Sequence, residues 1–166
     1  MNEEEYIRKD RMRFTKNTLA SSFAIIAIVF DVLYFLNIYN SDVNHNVGNF
    51  YYQIRIGGSI ILNLLFMLAA FLSSEGIKNY KVSYGYVLGV LGVIQLVRIF
   101  ILPMQAHAAE VTVAGATAKV METGQFITVI AYLLISAAAC FAAAWVGIKK
   151  SKELQAHIAS LSIETA

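Results

Sequence analysis

Between Val82 and Pro103 the chain reads VSYGYVLGVLGVIQLVRIFILP, an apolar run with Gln95 and Arg98 inside it. The residues from Tyr84 to Leu102 are nearly all apolar, and at about 1.5 Å rise per residue they cover the ~30 Å hydrocarbon core of a bilayer. The run predicts a membrane-spanning helix that contains an arginine. A charge at the bilayer centre costs about 2.5 to 3.5 kcal/mol, and less near the interface, so Arg98 requires water or a partner supplied by the rest of the chain.

Three further apolar runs, at about 19–38, 54–72 and 126–148, have spanning length as well. The 166 residues are 58% hydrophobic and 14% charged, with a single proline, whereas about 25% of a soluble domain is charged. The expected fold class is all-α: an integral membrane four-helix bundle, with residues 1–166 forming a single membrane domain. The first apolar run, about 20 residues long, exceeds the h-region of a signal peptide and is expected to stay in the mature protein.

Each of the first three spans carries a polar residue where lipid would not tolerate one. Asp31 lies in the first span, Asn63 in the second, and Gln95 and Arg98 share one face of the third. Counting back from the span ends puts Asp31 about 10 Å and Arg98 about 6 Å below the same membrane edge, a difference an arginine side chain can bridge. These four residues are expected to form one polar cluster. A buried Asp31 and Arg98 pair that fixes helix register is preferred over a solvated transport path, because one acid and one base neutralise each other.

Small residues mark where helices can approach closely. Gly85, Gly89 and Gly92 recur along one face of the third span, and Ala139, Ala143 and Gly147 along one face of the fourth. Tyr34, Tyr39, Tyr51 and Tyr52 read as an aromatic belt at one interface. Two stripes exceed what one bundle needs, which points to a further packing partner.

The flanks and loops are polar. Residues 1–17 pair Glu4 with Arg8 and Glu5 with Lys9 at i,i+4 and predict a short juxtamembrane helix. Beyond the fourth span Leu154, Ile158 and Leu161 follow i, i+4, i+7 beside Lys149, Lys150 and Lys152, predicting a short amphipathic C-terminal helix for contact with a partner or lipid. The connection 104–125 is compatible with a helical excursion of the third span, a short interfacial element or a flexible link. Residues 73–81 read as a turn.

No chemistry-bearing motif emerges. Asp42 with His45 and His107 with Glu110 could ligate metal, but their spacing matches no known site, and solvation is the default. There is no phosphate loop, no HExxH and no GxSxG. Cys140, the single cysteine, lies in the last apolar run and reads as a small core residue. The expectation is a non-catalytic protein with no catalytic residues, metal or cofactor, and no nucleic-acid partner. It would be an accessory or regulatory subunit packing against a larger membrane protein such as a transporter. The alternative is a homo-oligomeric transporter or channel with Asp31 and Arg98 in its path. The absence of an N-x-S/T sequon is compatible with a bacterial cytoplasmic membrane.

Orientation follows from Lys and Arg. Five precede the first span, two lie in the 73–81 turn and three follow the fourth span, against Arg55 and Lys119 on the opposite side. By the positive-inside rule both termini face the cytoplasm. Cysteines introduced within 40–53 or 104–125 are therefore expected to react with an impermeant reagent added from outside. Labelling of those positions from the cytoplasmic side alone would reverse the topology.

Overall fold

In membrane lipid a backbone must satisfy its own hydrogen bonds, and four apolar helices do so here. A computed structural model describes residues 15–39, 50–108, 110–113, 116–119 and 121–164. In chain order the elements are α1 (Thr18–Tyr39), α2 (Phe50–Lys78), α3 (Val82–Ile101), α4 (Pro103–Ala108), β1 (Glu110–Val113), β2 (Ala116–Lys119) and α5 (Thr123–Glu164). Of the 1–17 segment expected to form a juxtamembrane helix, residues 1–14 lie outside the described residues, as do Asp42 and His45, and residues 15–17 are not helical.

The core is mostly apolar but holds a buried polar cluster, and the perimeter is apolar. Asp31, Asn63, Gln95 and Ser136 are fully buried, while Ile61, Leu65, Val90, Phe100 and Ile127 stand exposed around the perimeter. An apolar perimeter is unlike the surface of a water-soluble domain and suits a molecule solvated by lipid. All four long helices are long and apolar enough to cross a bilayer, and the chain is an integral membrane protein built as an all-α four-helix bundle.

Contacts at the helix ends define two ends of the bundle. At one, the N–H of Asn17 donates to the carbonyl of Lys78 at 2.9 Å. There the Asn17 side chain also caps α1, its Oδ1 accepting from the N–H of Ala20 at 3.4 Å. At the other, Gln125 Nε2 donates to the carbonyl of Asn37 at 3.2 Å, joining the end of α1 to the start of α5. The first end also carries Lys78, Lys81 and the 149–152 lysines and is the lysine-rich end. Ser21 and Ser74 share a buried hydrogen bond at 2.8 Å near it.

Three boundaries differ from those expected. Residues 73–78, read as turn, continue α2, and the reversal is confined to residues 79–81. The N–H of Lys81 reaches back to the Gly76 carbonyl at 3.2 Å and that of Tyr80 to the Ile77 carbonyl at 3.1 Å, while Tyr80 sits at φ 58°. These are the hydrogen bonds of a left-handed helix stop, which satisfies carbonyls that would otherwise be orphaned. The C-terminal segment is helical but not separate, since α5 runs unbroken from Thr123 to Glu164. The long connection holds one short helix and a two-stranded antiparallel hairpin, with Glu110 opposite Lys119. Pro103 ends α3 and also opens α4, where its missing N–H costs nothing.

Close approach is concentrated on α5. A Cβ added at Gly85 would lie 2.6 Å from Ile148, and one at Gly92 would lie 2.9 Å from Phe141, whereas at Gly89 the nearest atom, the Ala144 methyl, is at an ordinary 3.9 Å. The α3 glycine stripe thus faces the 141, 144 and 148 positions of α5. Ala139, Ala143 and Gly147 are also buried inside the bundle, and Gly147 lies against Ile77 and Ala20. A third stripe, Ala20, Ala24 and Ala27 on α1, is fully buried as well. The surplus of small residues is absorbed within one chain, so it gives no argument for an outside partner.

Substitution at Gly147 tests this packing. A Cβ there would overlap the buried Ile77 side chain, so Gly147→Leu is expected to destabilise by about 1 to 3 kcal/mol, the usual range for overpacking a core. Gly124→Ala, with nothing within 4 Å of the new methyl, should leave thermal unfolding in detergent unchanged. Equal melting temperatures for the two variants would refute the close approach.

Candidate functional site

Arg98 sits one turn from the end of α3, and its guanidinium reaches every neighbouring helix but α5 directly. Nη1 donates to Asp31 Oδ1 on α1 at 2.6 Å and to Gln95 Oε1 on its own helix at 2.7 Å, and Nη2 donates to Asn63 Oδ1 on α2. Gln95 Nε2 in turn donates to Asp31 Oδ1 at 2.8 Å and to Ser136 Oγ on α5 at 2.9 Å. The Ser136 hydroxyl donates onward to the Ala27 carbonyl at 2.9 Å. All four spanning helices are therefore tied to one network.

The charged pair is buried. The side chains of Arg98 and Asp31 are 5% and 0% exposed, so the pair sits in low dielectric, where its attraction is far stronger than at a wet surface. Tyr34 lies against Arg98, with the guanidinium carbon 4.6 Å from the ring centroid, and the Phe66 ring is at 5.7 Å. Both distances lie within cation–π range. Arg98 has five N–H donors, and three are committed to these side chains.

Asp31, Asn63, Gln95 and Arg98, which the sequence places at similar depth, are in mutual contact. Two members were not foreseen. Ser136 was legible by the rule that singled out Asn63, as a polar residue inside an apolar run. Tyr34, read as part of an interfacial belt, is instead 1% exposed and covers Arg98. A phenol ring can serve either purpose, and one-dimensional spacing does not distinguish them.

The other candidate residues lie apart from this cluster. His107 stacks on Phe126 with ring centroids 4.3 Å apart, and its Nδ1 lies 3.2 Å from the Met121 carbonyl. Glu110 is exposed on β1. On the continuation of α5 Leu154 is half-buried and Ile158 is exposed, while the Leu161 side chain lies outside the described residues. Cys140 is buried in the core.

The network links the four spanning helices through Arg98, Asp31, Gln95, Asn63 and Ser136. The only ionised side chains in the cluster neutralise each other, and the hydroxyl of Ser136 is spent on one accepted and one donated hydrogen bond. Asp31 Oδ2 and Asn63 Nδ2 are buried without a hydrogen-bond partner. Beside Arg98, at the end away from the lysines, a cavity of about 240 Å³ is lined by Tyr34, Gly58, Ser59, Leu62, Ile101 and Leu102.

A double-mutant cycle measures the pair. Removing one partner strands the other in the membrane interior, so Asp31→Leu and Arg98→Met should each lose about 3 to 5 kcal/mol, while the double variant should recover most of that loss. Thermal unfolding in detergent is the readout. A double variant as unstable as the worse single would show that the two charges do not act as a pair.

A scan against family models and searches of curated proteins and of solved structures find no match to this chain.

Proposed function

We propose that this protein is a non-catalytic accessory or regulatory subunit of a larger membrane complex such as a transporter, residing in a bacterial cytoplasmic membrane with both termini inside. The observation that carries the reading is the length of α5. Its 42 residues extend about 63 Å, roughly twice the bilayer core. Contacts of Gly147 and Ile148 with Ala20, Ile77 and Gly85 mark the end of the bundle, and Ser151 is the last buried residue described on the helix. The remaining turns, to Glu164, carry it about 20 Å further along its axis. This arm bears Lys152, the half-buried Leu154 and the exposed Ile158, which suits docking through mixed charge and apolar contact.

The polar cluster supports a scaffold role. A carrier that moves protons or ions needs a carboxylate free to change its charge or its ligand, whereas Asp31 Oδ1 is held by both Arg98 and Gln95 and only Oδ2 is left without a hydrogen-bond partner. One observation favours a second reading, a homo-oligomeric transporter or channel: the cavity beside Arg98 brings space to the edge of the charged pair.

Deletion of residues 153–164 separates the two. For an accessory subunit, the truncated protein should keep its thermal stability and lose a membrane protein that co-purifies in stoichiometric amount with the full chain. Transport by the purified full chain in liposomes, unaffected by the deletion, would instead establish the second reading.

A further inference from the structure

The face between α2 and α3 opens into two adjoining spaces. The cavity beside Arg98 lies toward the end away from the lysines, and below it an apolar slot of about 210 Å³ is lined by Leu62, Leu65, Phe66, Ala69, Leu91 and Ile94. Leu62 lines both, and Phe66, in the wall of the slot, is also the ring 5.7 Å from the Arg98 guanidinium. The two spaces form one groove.

Its dimensions fit one leaflet. From Gly58 to Ala69 the groove follows α2 for about 16 Å, close to the ~15 Å that half of a bilayer core measures. Its lower part is wholly apolar. Its upper part holds the Ser59 hydroxyl and Arg98, three of whose five N–H donors go to Asp31, Gln95 and Asn63. Arg98 lies three residues from the last residue of α3, so the polar part of the groove is at the end away from the lysines. The cluster as a whole is neutral, because Asp31 balances Arg98.

We propose that this groove binds a diacyl glycerophospholipid from the leaflet opposite the lysine-rich end. One acyl chain fills the slot and an ester carbonyl oxygen accepts a hydrogen bond from Arg98. Because Asp31 balances Arg98, the site is indifferent to headgroup charge. The lipid seals the seam between α2 and α3.

Neighbouring glycines provide a matched test. Gly58 lines the upper space, Gly57 does not, and neither has any atom within 4 Å of an added Cβ. The full chain, Gly58→Leu and Gly57→Leu are purified in mild detergent after incubation with vesicles of phosphatidylglycerol or of phosphatidylethanolamine. Bound phospholipid is then counted by extraction and mass spectrometry. The unmodified chain and Gly57→Leu should retain phospholipid from either vesicle type, and Gly58→Leu should retain at least about fivefold less at an unchanged melting temperature. Should Gly58→Leu unfold, Ala69→Leu fills the slot from below and is read in the same way. Equal retention by all variants, or none by the unmodified chain, overturns the site. Retention from phosphatidylglycerol alone overturns the ester contact.

Discussion

A guanidinium cannot shed its proton inside a membrane, so it must be solvated by the protein that carries it. The polar cluster around Arg98 serves that need directly or at one remove. Asp31 supplies charge, Gln95 and Asn63 supply acceptors, and Tyr34 and Phe66 supply ring faces. Ser136 brings in the last helix through Gln95. Hydrophobic force cannot choose between helix arrangements in lipid, because the tails are as apolar as leucine. A hydrogen-bonded network can choose, since a helix turned by one residue would leave several of its groups unpaired in a low dielectric.

Shape does the rest. Hydrogen bonds of 2.6 to 2.9 Å between helices require backbones that come close, and the alanine stripe of α1 and the glycine stripe of α3 allow it on either side of α5. The last helix is thus the axis against which α1 and α3 are set. On the α2 and α3 side no such stripe exists, and the groove lies there.

Much of this was legible in the amino-acid order, for a physical reason. Spanning length and the exclusion of polar groups from lipid are one-dimensional constraints, so four spans and an inward cluster at Asp31, Asn63, Gln95 and Arg98 can be read from a string. Which stripe meets which is three-dimensional. Gly85 and Gly92 face Ile148 and Phe141, whose large side chains fill the space that the glycines leave, and spacing alone does not name such partners. The stop after α2 was hidden too, since Tyr80 takes a backbone conformation that sequence assigns to glycine or asparagine. Lysine placement shows polarity along the membrane normal but says nothing of whether a helix continues, and so the arm of α5 read as a separate element.

That continuity has a mechanical consequence. An α-helix resists twisting about its axis when its hydrogen-bond ladder is intact, and α5 has no proline between Ser136 and the end of the arm. Torque applied at Ile158 is therefore delivered to Ser136 as rotation rather than absorbed at a hinge. Ser136 holds both the Ala27 carbonyl and Gln95, so a turn of the arm pulls on α1 and α3 together. The bundle and the arm of α5 behave as a shaft fixed in a socket, with the arginine network as the key that prevents slip.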